Sequence, residues 1–167
     1  MLKNNKITGI MACTKSGVIG LNNKVPWNYP DEFKHFKQTT YQHIVIMGRK
    51  TFAESLTNNI AKNRFNIVFS KNSNLKKETK EMSNTLVVAN LEEFFAINNL
   101  PENKKIFMIG GAEIANLFLE NNLLSDFILT KIHREYPGDT FLPMKYFQKD
   151  GKLLTKTADF SIYYYKI

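Results

Sequence analysis

The sequence predicts an α/β fold in one domain, built on a mainly parallel sheet that is covered on both faces and closed by an antiparallel pair. Segments typical of strands alternate with segments typical of helices along the 167 residues, which is the pattern of β-α-β units. The predicted strands at 43–47 and 105–109 are short and mostly apolar, as expected for central strands. A hydrophobic content of 43% is typical of a chain that buries a core.

Each element is predicted from the periodicity of its apolar residues. The predicted helices, each placed between two strands, are 30–41, 50–56, 91–98 and 112–120. We interpret the lysine- and asparagine-rich stretch 71–84 as a surface connection. The tail is rich in strand-forming residues, which predicts the antiparallel pair. The predicted strands are 7–13, 43–47, 65–69, 85–89, 105–109, 126–133 and 152–166, with a break near residues 158 and 159.

The first predicted helix carries an acid among aromatic residues. Pro30 is suited to the first helical position, and Asp31 and Glu32 then lie in the first turn, where they complement the helix dipole. Phe33 and Phe36 share one face, with Glu32 roughly 60° from its centre. Asp31 lies on the opposite, solvent side, and the residues predicted to share that side are Lys34, His35 and Gln38. We predict that Glu32 faces the interior or a cleft and serves function, because a buried acid seldom serves stability; the alternative is a glutamate that extends to water.

Three predicted strands end in residues that favour phosphate groups. Segments 48–51 and 110–113 lie where a strand gives way to a helix, and Ser70 and Lys71 follow a third strand. Helix N-termini attract anions, and the carboxyl ends of parallel strands meet at one edge of a sheet. Each segment alone is equally compatible with an ordinary turn, and no G-x-G-x-x-G or P-loop pattern is present. Together they predict one dinucleotide with an additional phosphate, which favours NADPH over NADH.

Charge and composition restrict the class of protein. The formal net charge of +8 suggests an anionic partner, and the dispersed positive residues favour a phosphorylated cofactor over nucleic acid. The single Cys13 lies in the first predicted strand, and we interpret it as a small core residue. No apolar run is long enough for a membrane span and no signal-peptide pattern opens the sequence. We expect a cytoplasmic protein without membrane contact.

Six ordered motifs resemble those of dihydrofolate reductase. They are residues 17–20, 25–28, 30–36, 46–51, 109–111 and 138–140. The resemblance covers nearly the whole chain. It implies NADPH-dependent reduction of 7,8-dihydrofolate to tetrahydrofolate, on a sheet of about eight strands flanked by about four helices. No exposed apolar helix face stands out, so we expect a monomer, and no metal site is predicted.

The resemblance implies a substrate site around Glu32, the predicted catalytic residue. Glu32 is similar to the family's pocket carboxylate, which accepts hydrogen bonds from the N3–H and 2-amino groups of the pterin, while water carries the proton to N5. Thr130 resembles a hydroxyl that holds this carboxylate, and Arg64 resembles the arginine that binds the α-carboxylate of the glutamyl tail. The implied substrate-binding residues are Ile10, Glu32, Phe33, Phe36, Leu56, Arg64, Ile109 and Thr130.

The resemblance also implies the residues that bind NADPH. The loop 16–27 resembles a mobile lid that excludes water from the transferring hydride, and Gly110-Gly111 resembles the family's cis glycine pair. The implied cofactor-binding residues are Ala12, Val18, Ile19, Gly20, Asn23, Trp27, Gly48, Arg49, Lys50, Thr51, Ser70, Lys71, Ile109, Gly110, Gly111, Ala112, Glu113 and Ile114.

Three departures from the family pattern bear on this site. Val25 stands where many bacterial members have methionine, Ala115 replaces an aromatic residue near the nicotinamide, and residues 58–64 lack the usual Pro-Leu-Pro approach to Arg64. Two other functions stay open, namely a reductase of this fold that acts on another pterin or a pyrimidine, and a basic nucleic-acid-binding module. Glu32 together with Arg64 favours a substrate with a pterin head and an acidic tail.

Overall fold

The computed structural model describes residues 2–167 and shows the predicted α/β fold. The strands are β1 (Ile7–Thr14), β2 (Val18–Gly20), β3 (Ile44–Gly48), β4 (Phe65–Phe69), β5 (Thr85–Val88), β6 (Ile106–Gly110), β7 (Asp126–Ile132), β8 (Thr140–Phe141), β9 (Lys152–Lys156) and β10 (Phe160–Lys166). The α-helices are α1 (Pro30–Thr40), α2 (Arg49–Thr57), α3 (Ser73–Glu78), α4 (Leu91–Phe95) and α5 (Ala112–Glu120). Single 3-10 turns lie at Leu2–Asn4, Ala61–Asn63 and Met144–Phe147.

Eight strands form one sheet in the order β5-β4-β3-β6-β1-β7-β10-β9. Neighbours from β5 to β7 pair in parallel, whereas β10 pairs antiparallel with both β7 and β9. The mainly parallel sheet and its C-terminal antiparallel hairpin are therefore confirmed. The separate pair of β2 and β8 was not predicted, because strands of three and two residues are too short to show a period.

The prediction of about four helices misses α3, which lies in the stretch interpreted as a connection. Asn72 caps this helix by accepting a hydrogen bond from the backbone N–H of Asn74 at 2.9 Å, as expected of an asparagine N-cap. Leu75 alone among its residues packs against the core, so the sequence shows no helical period. The largest shift of a predicted helix end is that of α4, which stops at Phe95, three residues earlier than predicted.

The sheet is covered on both faces, as its central strands predict. In β3, Ile44 and Ile46 belong to one core cluster, while Val45 and Met47 belong to another, and alternate residues of a strand point to opposite faces. Cys13 is fully buried in the first cluster, which confirms it as a core residue. None of the helices in residues 2–167 combines the length and the apolar character that a membrane-spanning helix requires.

Candidate active site

A cleft with a volume of about 230 Å³ lies toward the carboxyl ends of β1 and β6, between α1 and α2. Ligands of parallel α/β sheets bind at this edge, where the loops after several strands meet. Part of the predicted lid forms one wall of the cleft. The lining residues are Ile10, Met11, Ala12, Ile19, Val25, Trp27, Glu32, Phe33, His35, Phe36, Thr51, Glu54, Ser55, Asn58, Ile60, Ile109, Gly111 and Thr130.

Glu32 lies in this cleft and is partly buried, whereas Asp31 is exposed and lies outside the lining. Burial raises the pKa of Glu32 to about 7, although a hydrogen bond from the side chain of Trp27 opposes that increase. The carboxyl group is therefore poised between its neutral and ionised forms near neutral pH. A ligand that donates hydrogen bonds to it would favour the ionised form.

The start of α1 determines where Glu32 points. Pro30 occupies the start of the helix, as predicted, and the backbone carbonyl of Tyr29 accepts hydrogen bonds from the N–H groups of Glu32 at 3.0 Å and Phe33 at 3.2 Å. The rings of Phe33 and Phe36 stack with their centroids 6.4 Å apart and 7° between their planes. The helix thus presents an acid and two stacked rings to one cleft, which suits a flat, polar-edged ligand.

His35 was predicted on the solvent side of α1, and that prediction is wrong. Its side chain is partly buried and lines the cleft, and burial lowers its pKa. Its Nε2 atom is buried and has no hydrogen-bond partner among the described residues. Helix phase could have found it, because residues i and i+3 are neighbours on a helix surface and His35 is three residues from Glu32.

Arg64 is 5% exposed and holds the end of α1. Its Nε donates to the hydroxyl of Thr40 at 2.9 Å, Nη1 to the carbonyl of Ile60 at 2.9 Å and Nη2 to the carbonyl of Lys37 at 2.7 Å. A guanidinium carries five N–H donors, so these three bonds leave two N–H groups for another acceptor. Arg64 is not among the residues that line the cleft, although its partner Ile60 is.

Ile60 supplies an apolar wall that the sequence analysis did not name. Leu56 is 48% exposed and lies outside the lining, whereas Ile60 is 3% exposed and lines the cleft. The assignment of Leu56 to the substrate site stays a prediction. The chain between them is irregular, with Asn59 in the left-handed region at φ 64°, so the period of α2 does not continue to Ile60.

Thr130 lies in the same cleft as Glu32. It is 1% exposed and lines the cleft, and its expected hydrogen bond to the carboxylate stays a prediction. The side chain of Trp27, in the loop before α1, lowers the pKa of Glu32 as a hydrogen-bond donor and so opposes the effect of burial.

Two helix N-termini stand side by side next to the cleft. Gly48 precedes α2 and Gly111 precedes α5, and β3 and β6 are paired neighbours. Because a glycine cap has no side chain, N–H groups of both first turns stay open to an anion. The Gly110-Gly111 bond is cis, as the resemblance implied, and Gly110 has φ 101°, a conformation that favours glycine.

The predicted cofactor residues fall into two groups. Ala12, Ile19, Trp27, Thr51, Ile109 and Gly111 line the cleft. Those outside its lining are Val18, Gly20, Asn23, Gly48, Arg49, Lys50, Ser70, Lys71, Gly110, Ala112, Glu113 and Ile114. Of these, Val18 and Ile114 are 3% and 8% exposed, so their side chains serve the core. Ala115 is also fully buried, and it takes no part in the lining.

The loop 16–27 is fastened to the segment that follows β7. Glu135 accepts hydrogen bonds from the backbone N–H of Ser16 at 2.7 Å and from its hydroxyl at 2.9 Å. Asp139 accepts the backbone N–H of Asn22 at 3.1 Å, and its own N–H donates to the carbonyl of Gly20 at 3.0 Å. These contacts, which no local pattern predicted, hold one wall of the cleft in place.

A mainly parallel α/β fold, a carboxyl group that faces a cleft and two helix N-termini beside that cleft are together typical of an enzyme. A family model described as Dihydrofolate reductase matches residues 6–159, and the chain therefore belongs to the dihydrofolate reductase family. Dihydrofolate reductases of Lactococcus lactis and Bacillus subtilis are 33% and 36% identical to it, each over 82% of this chain and over 77% and 75% of the relative. The dihydrofolate reductase of Mycoplasma genitalium is 29% identical over 96% of this chain and 97% of the relative.

Proposed function

We propose that this protein reduces 7,8-dihydrofolate to 5,6,7,8-tetrahydrofolate, with NADPH as the hydride donor. The observation that carries the proposal is Glu32, a partly buried carboxyl group that faces a cleft lined by stacked aromatic rings. A pterin is flat, so it fits beside Phe33 and Phe36, and one of its edges presents two N–H donors. Family membership supports the same substrate.

Glu32 anchors the pterin in this mechanism. Its carboxylate accepts one hydrogen bond from N3–H and one from the 2-amino group, a bidentate contact that fixes the orientation of the ring. The pKa of about 7 in the free protein falls on binding, because both contacts favour the ionised form. Part of the free energy of pterin binding is therefore used to ionise Glu32. The hydrogen bonds between its carboxylate and the pterin strengthen as positive charge develops on the ring.

The reaction adds a hydride to C6 and a proton to N5. NADPH supplies the hydride when bound, and NADP⁺ remains. Glu32 holds the far edge of the pterin, so water carries the proton to N5. The wall formed by Ile19 and Trp27 limits how much water reaches the transferring hydride.

The helix N-termini after β3 and β6 suit the phosphates of the cofactor. Gly48 and Gly111 allow close approach of a phosphate to the backbone. Thr51 stands near Gly111, since a Cβ on that glycine would lie 3.6 Å from the threonine hydroxyl. Arg49, Lys50 and Lys71 add positive charge at the same edge, which favours NADPH over NADH.

Arg64 binds the acidic tail of the substrate in this proposal. Its three hydrogen bonds orient the guanidinium, and its two remaining N–H groups suit a carboxylate. Arg64→Leu should raise the KM for dihydrofolate about tenfold or more. The KM for an analogue without the glutamyl tail should be unchanged. An equal rise for both substrates would mean that Arg64 acts through the fold alone.

The direct test follows the absorbance of NADPH during turnover of dihydrofolate by the purified protein. We expect turnover with NADPH and a much lower kcat/KM with NADH. A folded protein that leaves dihydrofolate unreduced but reduces another pterin or a pyrimidine would favour the rival reductase. A steeply salt-dependent affinity for DNA or RNA without turnover would favour the nucleic-acid-binding module. The cytoplasmic location, the monomeric state and the single domain over residues 1–167 stay predictions.

A further inference from the structure

Glu54 contributes a second carboxyl group to the cleft. It lines the cleft from α2, whereas Glu32 lines it from α1. No lysine or arginine is among the described residues that line the cleft, although the chain carries a formal net charge of +8. The lining of the cleft is therefore acidic in an otherwise basic protein.

The carboxyl group of Glu54 has no hydrogen bond and no ion pair with any described residue. Lys50 is four residues earlier, the usual spacing of an ion pair on a helix, but its Nζ donates to Oδ1 of Asn23 at 3.3 Å instead. Burial raises the pKa of Glu54, and neither a charge nor a donor opposes that increase. The residue is still exposed to solvent, so water is the partner that a ligand would displace.

One face of α2 and its C-cap forms a wall along the cleft. Its members are spaced three and four residues apart, as expected of one face of a helix. Thr51 lies at the end of this wall next to Gly111, where a Cβ on the glycine would be 3.6 Å from the threonine hydroxyl. The wall therefore begins beside the two helix N-termini. Its members are Thr51, Glu54, Ser55 and Asn58.

The other end of the wall leads to Arg64. The side chain of Asn58 accepts the backbone N–H of Ile60 at 3.1 Å, and the carbonyl of Ile60 accepts Nη1 of Arg64 at 2.9 Å. Glu54 is separated from Thr51 by about 4.5 Å and from Asn58 by about 6 Å along the helix axis. Its carboxyl group thus belongs to the middle of the wall, between the cofactor end and the arginine.

We propose that Glu54 is a specificity-determining residue, which accepts a hydrogen bond from an N–H group in the middle of the ligand. The inference rests on the proposed function, because dihydrofolate carries such a group in the secondary amine that joins its pterin to its benzoyl ring. An N-alkyl group at the same place offers no donor and would remove water from the acid without replacing it. Glu54 should therefore discriminate between ligands that differ only at this nitrogen.

The test compares the binding of folate and of its N10-methyl derivative, which share the pterin and the glutamyl tail. Isothermal titration calorimetry without NADPH gives both Kd values. We expect the N–H ligand to bind about tenfold more tightly. Glu54→Ala should remove most of that preference, and Glu54→Gln, which keeps a neutral acceptor, should retain about threefold. Losses that come from the fold alone cancel in the ratio of the two Kd values.

Glu120→Ala is the matched control. Glu120 is an exposed glutamate of α5, which has nine residues like α2, and it lies outside the lining of the cleft. Its replacement should leave the ratio of Kd values unchanged. The same ratio in the original protein and in Glu54→Ala, or an equal change in Glu120→Ala, would overturn the proposal.

Steady-state kinetics separates the substrate from the cofactor. Glu54→Ala should raise the KM for dihydrofolate and leave the KM for NADPH unchanged. A rise in the KM for NADPH alone would assign Glu54 to the cofactor and would overturn the proposal. A preference that depends on Glu54, in a folded protein that does not reduce dihydrofolate, would support the role of Glu54 while contradicting the proposed function. Normal turnover without that preference would overturn the role of Glu54 alone.

Discussion

Asp126 and Glu32 are acids inside the same protein with opposite surroundings. Asp126 begins β7, at the end of the sheet away from the cleft, and is 2% exposed. It accepts hydrogen bonds from the hydroxyls of Thr8 at 2.6 Å and Tyr164 at 2.8 Å, and Nζ of Lys6 lies 2.9 Å away. Burial alone would raise the pKa of Asp126, but these three contacts outweigh it and hold that pKa below its usual range.

Burial raises the pKa of Glu32 to about 7, and the one cause that opposes this increase is hydrogen bonding from the side chain of Trp27. Burial disfavours the charged form of both carboxyl groups, so the hydrogen-bond donors around each decide the direction of its pKa shift. The fold supplies the partners of Asp126 and leaves those of Glu32 to a ligand. A buried acid with too few partners is therefore a better indication of a site than burial itself.

The largest expected effect is the loss of activity in Glu32→Gln. The amide keeps the size of the side chain but cannot carry the negative charge that receives two N–H donors. We expect kcat/KM for dihydrofolate at pH 7 to fall about 100-fold or more. Asp31→Asn is the matched control, since Asp31 is the exposed neighbour in the same helical turn, and it should remain near the original activity. Equal losses in both variants would contradict the assignment.

The second prediction concerns the dependence of stability on pH, which should have opposite signs for the two acids. The pKa of Glu32 rises from 4.5 in the unfolded chain to about 7 in the fold, so between these values the folded protein retains a proton that the unfolded chain has lost. Stability should therefore decrease as pH rises from about 4.5 to about 7, by on the order of 3 kcal/mol. Urea unfolding at several pH values measures it, and Glu32→Gln should abolish the decrease.

Asp126 should have the opposite effect on the pH dependence of stability, at acid pH. Because its pKa in the fold lies below 3.8, the unfolded chain binds the proton first, and stability is lost as pH falls through the folded pKa. Asp126→Asn should cost about 2 kcal/mol near neutral pH, leave the activity per folded molecule unchanged, and flatten the acid limb of the same urea series. An acid limb that persists in this variant would assign the effect to another carboxylate.

The sequence predicted those features of the fold and the site that depend on the period of a helix or on the order of the strands. Helix phase directed Glu32 toward the cleft and Asp31 toward solvent, since proline, acids and aromatic rings within one turn define the faces of α1. The order of strands and helices along the chain predicted that the turns suited to phosphate lie close together, because the carboxyl ends of parallel strands meet at one edge of the sheet. The first expectation rests on the period of an α-helix and the second on the geometry of a parallel sheet.

What the sequence did not predict are contacts between distant segments and irregular turns. Tyr136 meets Tyr29 across 107 positions, and no period relates such residues. Ile60 was not predicted because the chain after α2 leaves helical geometry, whereas His35 could have been found from its spacing of three residues to Glu32. A pattern of apolar residues specifies which side of an element is buried, but not which neighbour completes a hydrogen bond.

The smallest expected effect is that of Tyr164→Phe, which removes one donor from Asp126. Two contacts remain, from Thr8 and Lys6, so the carboxylate stays ionised and the loss in unfolding free energy should be roughly 0.5 kcal/mol. Tyr163→Phe serves as the control on the same strand. A loss as large as that of Asp126→Asn would mean that the tyrosine dominates the cluster. A small loss would show that a carboxylate with several donors tolerates the removal of one.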